Sequence, residues 1–110
     1  MALVTLDEAK EYLRVDSADE DALTEALLSA AEKLCIDVAR VTDEQWADID
    51  STKVRSERYS NTELTGIRKI MKIAIMYALG YLFEHREEAD HHDLTLTLRS
   101  LLFSIREGVV

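Results

Sequence analysis

The 110-residue chain has no proline, only three glycines (Gly66, Gly80 and Gly108) and a single cysteine. A β-sandwich or barrel turns through many Gly- or Pro-bearing loops, so this shortage argues against both. One thiol, Cys35, excludes an intramolecular disulfide framework and any Cys-cluster zinc site. The longest apolar run, 73–83 with Gly80 counted, falls short of the ~18 residues that a membrane span needs. No basic region followed by an apolar stretch opens the sequence. The expectation is a chain made and folded in a reducing cytoplasm, away from membranes.

What is present fits one globular domain over 1–110. Apolar residues are 47% and charged residues 32%, a profile that supports a core and opposes disorder. The net charge of −9 is unevenly spread. Residues 1–50 hold 14 acids and 4 bases. Residues 53–72 reverse the sign, with Lys53, Arg55, Arg58, Arg68, Lys69 and Lys72 against Glu57 and Glu63. An acidic protein repels phosphate and makes a poor general nucleic-acid binder. Segregated charge instead suits contact between copies, the acidic surface of one against the basic surface of the next. Such a heterologous contact closes into a ring when the rotation permits. Ordinary solvated helix faces account for the same pattern.

Four Ser/Thr residues are followed three positions later by Glu or Gln, the spacing of a helix-starting capping box. They are Thr5 with Glu8, Ser17 with Glu20, Thr42 with Gln45 and Ser60 with Glu63. The pattern predicts helices over about 6–14, 18–40, 43–49, 61–88 and 93–106, with a polar loop at 50–59. This is an all-α bundle of four main helices and one short one, the polar loop preceding a long apolar helix. In the second helix, Leu23, Leu27, Ala30, Leu34, Val38 and Val41 form an apolar stripe. Residues 73–83 are apolar all round, which predicts burial on every side. In the last helix Leu94, Leu98, Leu101, Leu102 and Ile105 share a core face, with Leu96 and Phe103 opposite. The alternation Leu94, Leu96, Leu98 also fits a strand, but the later pattern is helical.

Few residues point to catalysis. The segment 84–93 holds His85, His91 and His92 among five carboxylates, and imidazole with carboxylate binds zinc, manganese or iron. A solvated turn between helices explains it equally simply. Cys35 lies beside the apolar stripe with no histidine or basic cluster near it in sequence, as an inert buried thiol does. Tyr12, Tyr59, Tyr77 and Tyr81 could stack on bases, though two of them fall in the apolar helix. Arg68, Lys69 and Lys72 form a small basic group suited to a subunit, solvent or phosphate contact. No Gly-rich phosphate loop or nucleophile elbow is present. The reading is a non-enzyme without cofactor or metal, whose surplus apolar faces at Leu96/Phe103 and along 73–83 seek protein partners.

Three motifs then carry a resemblance. The opening Thr5-Leu6-Asp7-Glu8-Ala9-Lys10-Glu11-Tyr12-Leu13-Arg14-Val15-Asp16, followed by Glu20-Asp21 and Leu27-Leu28-Ser29-Ala30-Ala31-Glu32, resembles the start of phage and prophage head–tail connector (adaptor) proteins. Leu82-Phe83-Glu84-His85-Arg86-Glu87 is similar to the segment closing that family's long apolar helix, with Phe83 in place of the usual tyrosine and His85 in place of asparagine. Leu98-Arg99-Ser100-Leu101-Leu102-Phe103-Ser104-Ile105-Arg106 looks like its terminal leucine-rich helix. The resemblance implies a small helical virion protein at the head–tail junction, present in the host bacterial cytoplasm before assembly. It implies a homo-oligomeric ring, commonly of twelve copies, between the portal and a stopper or tail-completion protein. DNA passes through such a ring without sequence-specific binding. Matched positions are Arg14, Asp16 and Asp21 in the first motif and Glu84, Arg86 and Glu87 in the second, with Arg86 expected to satisfy half-buried carboxylates. Two other readings stay open: a small helical regulatory or DNA-associated interaction module, and a metal-dependent hydrolase built on the His/carboxylate segment.

Overall fold

The computed structural model of the chain describes residues 3–15, 20–85 and 91–106. Among them lie six helices and no strand: α1 (Leu6–Leu13), α2 (Asp21–Ala39), α3 (Asp43–Ile49), α4 (Asn61–Glu84), α5 (His92–Leu101) and α6 (Phe103–Arg106). The all-helical class agrees with the sequence, but the number is six rather than five. The last expected helix breaks at Leu102, whose φ of −99° and ψ of 9° leave the helical region. Its side chain is fully buried. The Arg106 N–H still donates to the Leu102 carbonyl at 2.9 Å, so α6 is a short continuation.

Three of the four capping boxes form in both directions. The Thr5, Thr42 and Ser60 hydroxyls each accept from the backbone N–H three residues on, and Glu8, Gln45 and Glu63 reach back to the capping N–H. Ser17 lies outside the described residues. Helix α2 starts at Asp21 after Glu20, with no side-chain cap. α1 and α2 end alike. Arg14 (φ 58°) and Arg40 (φ 56°) take the left-handed conformation. The next N–H, of Val15 or Val41, closes back on Lys10 or Ile36 at 2.9 and 3.1 Å. Helix α5 absorbs the strand-like Leu-Thr alternation because its hydroxyls bond back along the helix. Thr95 Oγ1 donates to the His91 carbonyl at 3.1 Å and Thr97 Oγ1 to that of Asp93 at 3.2 Å.

The centre is the α2–α4 pair. α1 and α5 each pack on both of these helices, α6 on α2 and α5, and α3 on α4. On α2 the buried line is Thr24, Leu28, Ala31, Cys35 and Ala39, one position on from the stripe expected from sequence. Of that stripe, Leu27, Leu34, Val38 and Val41 pack against the core only in part, and Leu23 and Ala30 face solvent. The reason is steric: small side chains let α4 approach closely, and the leucines fill the flanks. Helix α4 buries Leu64, Ile67, Met71, Ala74, Ile75, Ala78, Leu79 and Leu82. It is not enclosed all round, since Ile73 is 61% and Tyr77 42% exposed. It ends at Glu84, with His85 as its cap. Residues 86–88 of the expected helix lie outside the described residues.

A polar lock fixes α3 and the loop after it. Arg68, from α4, donates through Nε to the Ile49 carbonyl at 3.0 Å and through Nη2 to that of Asp48 at 2.9 Å. These are end-of-helix carbonyls that α3 itself cannot pair. The Asp48 carboxylate is buried and accepts from Lys53 Nζ at 3.1 Å and Arg58 Nη1 at 3.3 Å. The Lys53 hydrogen bond, helped by Ser56 and Arg58, holds its carboxyl below the usual range against the opposing effect of burial. Ser56 then organises the loop, accepting from the Arg58 and Tyr59 N–H groups at 3.2 and 3.1 Å. Nearby, Glu32 of α2 is pushed up by burial and by the charge of Asp50, and Asp50 is itself raised by burial.

Two predictions follow from this packing. Arg68→Ala removes both carbonyl bonds and is expected to cost about 2 kcal/mol in urea unfolding. Arg68→Lys should not restore it, because an ammonium cannot span both carbonyls from one plane. For Glu32 the folded protein disfavours the charged form, so the penalty is present above its folded pKa and vanishes below the ordinary value of 4.5. Glu32→Gln should therefore raise the melting temperature at pH 7, with the gain shrinking to nothing as the pH falls below that value.

Candidate assembly surface

The described residues contain two exposed apolar faces. The first lies on α5 and α6, where Leu96 is 48% and Phe103 57% exposed. With Arg99, Ser100 and Arg106 they line an open depression of about 570 Å³. Leu94, Leu98 and Leu102 turn to the core on the opposite side of the same helix, as the spacing requires. Leu101, expected in the core, stays partly exposed at its edge. Arg106 Nε is buried and has no hydrogen-bond partner among the described residues. A buried donor left unpaired costs about 1–3 kcal/mol, and an acceptor brought by a neighbouring molecule would recover it.

The second face runs along α4 and is flanked by α1. Tyr12 leans across Gly80. A Cβ there would stand 3.2 Å from the Tyr12 ring, so the glycine is what lets the ring lie flat on the helix. Tyr12, Tyr77, Gly80, Tyr81 and Glu84 border a shallow depression of about 190 Å³. An adjoining one of about 360 Å³ is lined by Arg14, Leu13 and Phe83 together with Tyr12, Gly80 and Glu84. Arg14 from the first connector-like motif and Glu84 from the second are thus brought to one place.

The remaining candidates disperse. Asp21 pairs with Lys10 Nζ at 2.6 Å and ties α2 to α1. Asp16, Arg86 and Glu87 lie outside the described residues. The basic trio of α4 does not act as a unit. Arg68 turns inward to α3, Lys72 pairs with Glu8 of α1, and Lys69 stays exposed. The Lys72 ammonium, with the Thr5 backbone N–H, keeps the Glu8 carboxyl below its usual range. What sequence reasoning missed is the open line Lys69, Ile73, Tyr77, Gly80, Glu84. No local signal separates it, since Lys69 and Glu84 fall outside the apolar run 73–83 and the small residues Ala74 and Ala78 inside that run are buried. The Asp48–Arg68 lock gave no signal either, because its partners sit five to twenty residues apart with no period.

The possible chemistry resolves into packing. His85 Nδ1 donates to the Tyr81 carbonyl at 2.9 Å. Its ring stacks on Tyr81 with centroids 4.1 Å apart, and His91 meets the same ring edge-on. Among the described residues no three His, Cys, Asp or Glu side chains are grouped to hold a metal ion. Glu87, Glu88 and Asp90 lie outside them. No described helix is long and apolar enough to cross a membrane. Cys35 is fully buried, and burial together with Glu32 pushes its thiol up to about 12.

Compared with known proteins, the chain matches no family model, no curated protein and no solved structure.

The Cys35 environment gives a direct check. A thiol-specific disulfide reagent at pH 8 should leave the native protein unlabelled and label one thiol per chain in urea. Rapid labelling of the native form would mean that α2 and α4 do not close over it.

Proposed function

We propose that this protein is a structural subunit of a tailed-phage or prophage head–tail connector. In this reading, copies assemble as a ring between the portal and the stopper or tail and leave a passage for DNA. The observation that carries the reading is the Leu96/Phe103 face, two large apolar side chains exposed side by side on α5 and α6. The connector-like motifs at 5–16, 82–87 and 98–106 give that surface a context. The acidic first half, and the exposed Arg55 and Lys69 of the basic stretch, supply opposite charges for a head-to-tail contact. Net acidity suits a passage through which DNA slides without adhering.

The reading is tested by mass measurement and electron microscopy of the purified protein over a range of concentrations, alone and with a phage portal. Rings of about twelve copies are expected from the connector resemblance, closed by a heterologous contact, and Phe103→Glu should abolish them while the chain stays helical by circular dichroism. A chain that never exceeds a small oligomer under either condition, and instead retains nucleic acid or stoichiometric metal, would overturn it.

A further inference from the structure

The line Lys69, Ile73, Tyr77, Gly80, Glu84 on α4 has a symmetry that the connector reading does not use. Lys69 and Glu84 are equidistant in sequence from the midpoint between Met76 and Tyr77, and so are Ile73 and Gly80. Ile73 is the most exposed apolar residue of α4. Gly80, with the Tyr12 ring close over it, borders the shallow depression together with Tyr77, Tyr81 and Glu84. Lys69 and Glu84 make no ion pair among the described residues. Each lies roughly 11 Å along the helix from the midpoint, at 1.5 Å per residue.

We infer that the free protein self-associates as a two-fold dimer through antiparallel packing of α4 on α4 of a second copy. A two-fold axis through that midpoint brings each Ile73 against the other copy's Tyr12 and Tyr77 rings at the shallow depression and sets each Lys69 opposite the other copy's Glu84. A parallel arrangement would set Lys69 against Lys69 and Glu84 against Glu84, so charge selects the antiparallel one. Arg14, which caps α1, lines the adjoining depression beside Glu84, outside the paired line. The occupant is a second copy because the face supplies both halves of the fit, an apolar centre at Ile73 and Tyr77 and a cation and an anion placed symmetrically about it. This isologous contact closes at two copies and is independent of the heterologous contact a ring needs.

The test is sedimentation equilibrium of the full chain over a dilution series, joined to cross-linking. Reversing one charge, in Lys69→Glu or Glu84→Lys, turns two attractive pairs into two repulsive ones and should weaken the dimer about tenfold. The double variant Lys69→Glu/Glu84→Lys should return to the unmodified affinity, an outcome that only opposed positions produce. Tyr77→Cys places a thiol beside the axis, and with Cys35 buried it is the reactive one. Added oxidant should convert that variant to a covalent dimer. All three positions are exposed or half-exposed, and circular dichroism confirms folding in each variant.

A monomer at every concentration, absence of the cross-link, or a double variant as weak as the singles overturns the inference. So does a chain that remains monomeric while an added portal covers this face. Rings without the cross-link would reject the dimer alone, and a cross-linked dimer that never forms rings would reject the connector reading alone.

Discussion

The contact between α2 and α4 is the constraint on which the rest of the structure depends. α2 contributes a line of small side chains, Ala31, Cys35 and Ala39, and α4 contributes Ala74 and Ala78 to the same core. Small residues let two helix backbones approach closely, and Leu28, Met71, Ile75 and Leu79 fill the sides. No disulfide assists, so burial of this seam supplies most of the stabilisation, at about 25 cal/mol per Å² of apolar surface. Once the two longest helices have committed one face each to one another, α1 and α5 can only lie alongside. Among the described residues no further element covers the far side of α4. The exposure of Ile73 and Tyr77 follows from that shortage of elements.

The second constraint is electrostatic and local. Much of the charge in 48–68 is used within the chain. Asp48 gathers Lys53 and Arg58, and Arg68 completes the carboxyl end of α3. A loop without period therefore has a defined path, set by side-chain and end-of-helix hydrogen bonds. The cost is a small acidic strain beside it, where Glu32 and Asp50 are held in partly buried positions with raised pKa values. The basic stretch read from sequence as one potential patch is thus divided. Arg68 and Lys72 serve the fold, and Lys69 and Arg55 remain at the surface.

For function, the surface is more informative than the interior. The histidines near the end of α4 pack on Tyr81, and the cysteine is sealed in the core. Apart from Val54 in the loop and Leu23 on α2, the large exposed apolar side chains lie on two separate sets of helices, α5/α6 and α1/α4. A subunit that meets its neighbours through one face and holds a symmetric second face has the surface economy of an assembly protein. That is the sense in which the connector proposal and the dimer inference are compatible without depending on one another.

Much of the fold was legible in the sequence because its signals are local. Capping boxes at Thr5, Thr42 and Ser60 depend on residues three apart, and they place three helix starts to the residue. The core leucines Leu94, Leu98 and Leu102 and the outward Leu96 and Phe103 likewise follow from the turn of one helix. The buried line of α2 was not legible, because a stripe of leucines beside a stripe of Ala and Cys offers two candidate faces, and only contact with α4 selects the smaller one. The open side of α4 was hidden for a related reason: an apolar sequence records that a helix can be buried, not how many neighbours exist to bury it. The sequence by itself determined where the helices lie and which charges exist. The tertiary structure alone decided which faces are covered, because coverage depends on the number and placement of packed elements, a property of the whole chain that no local pattern carries.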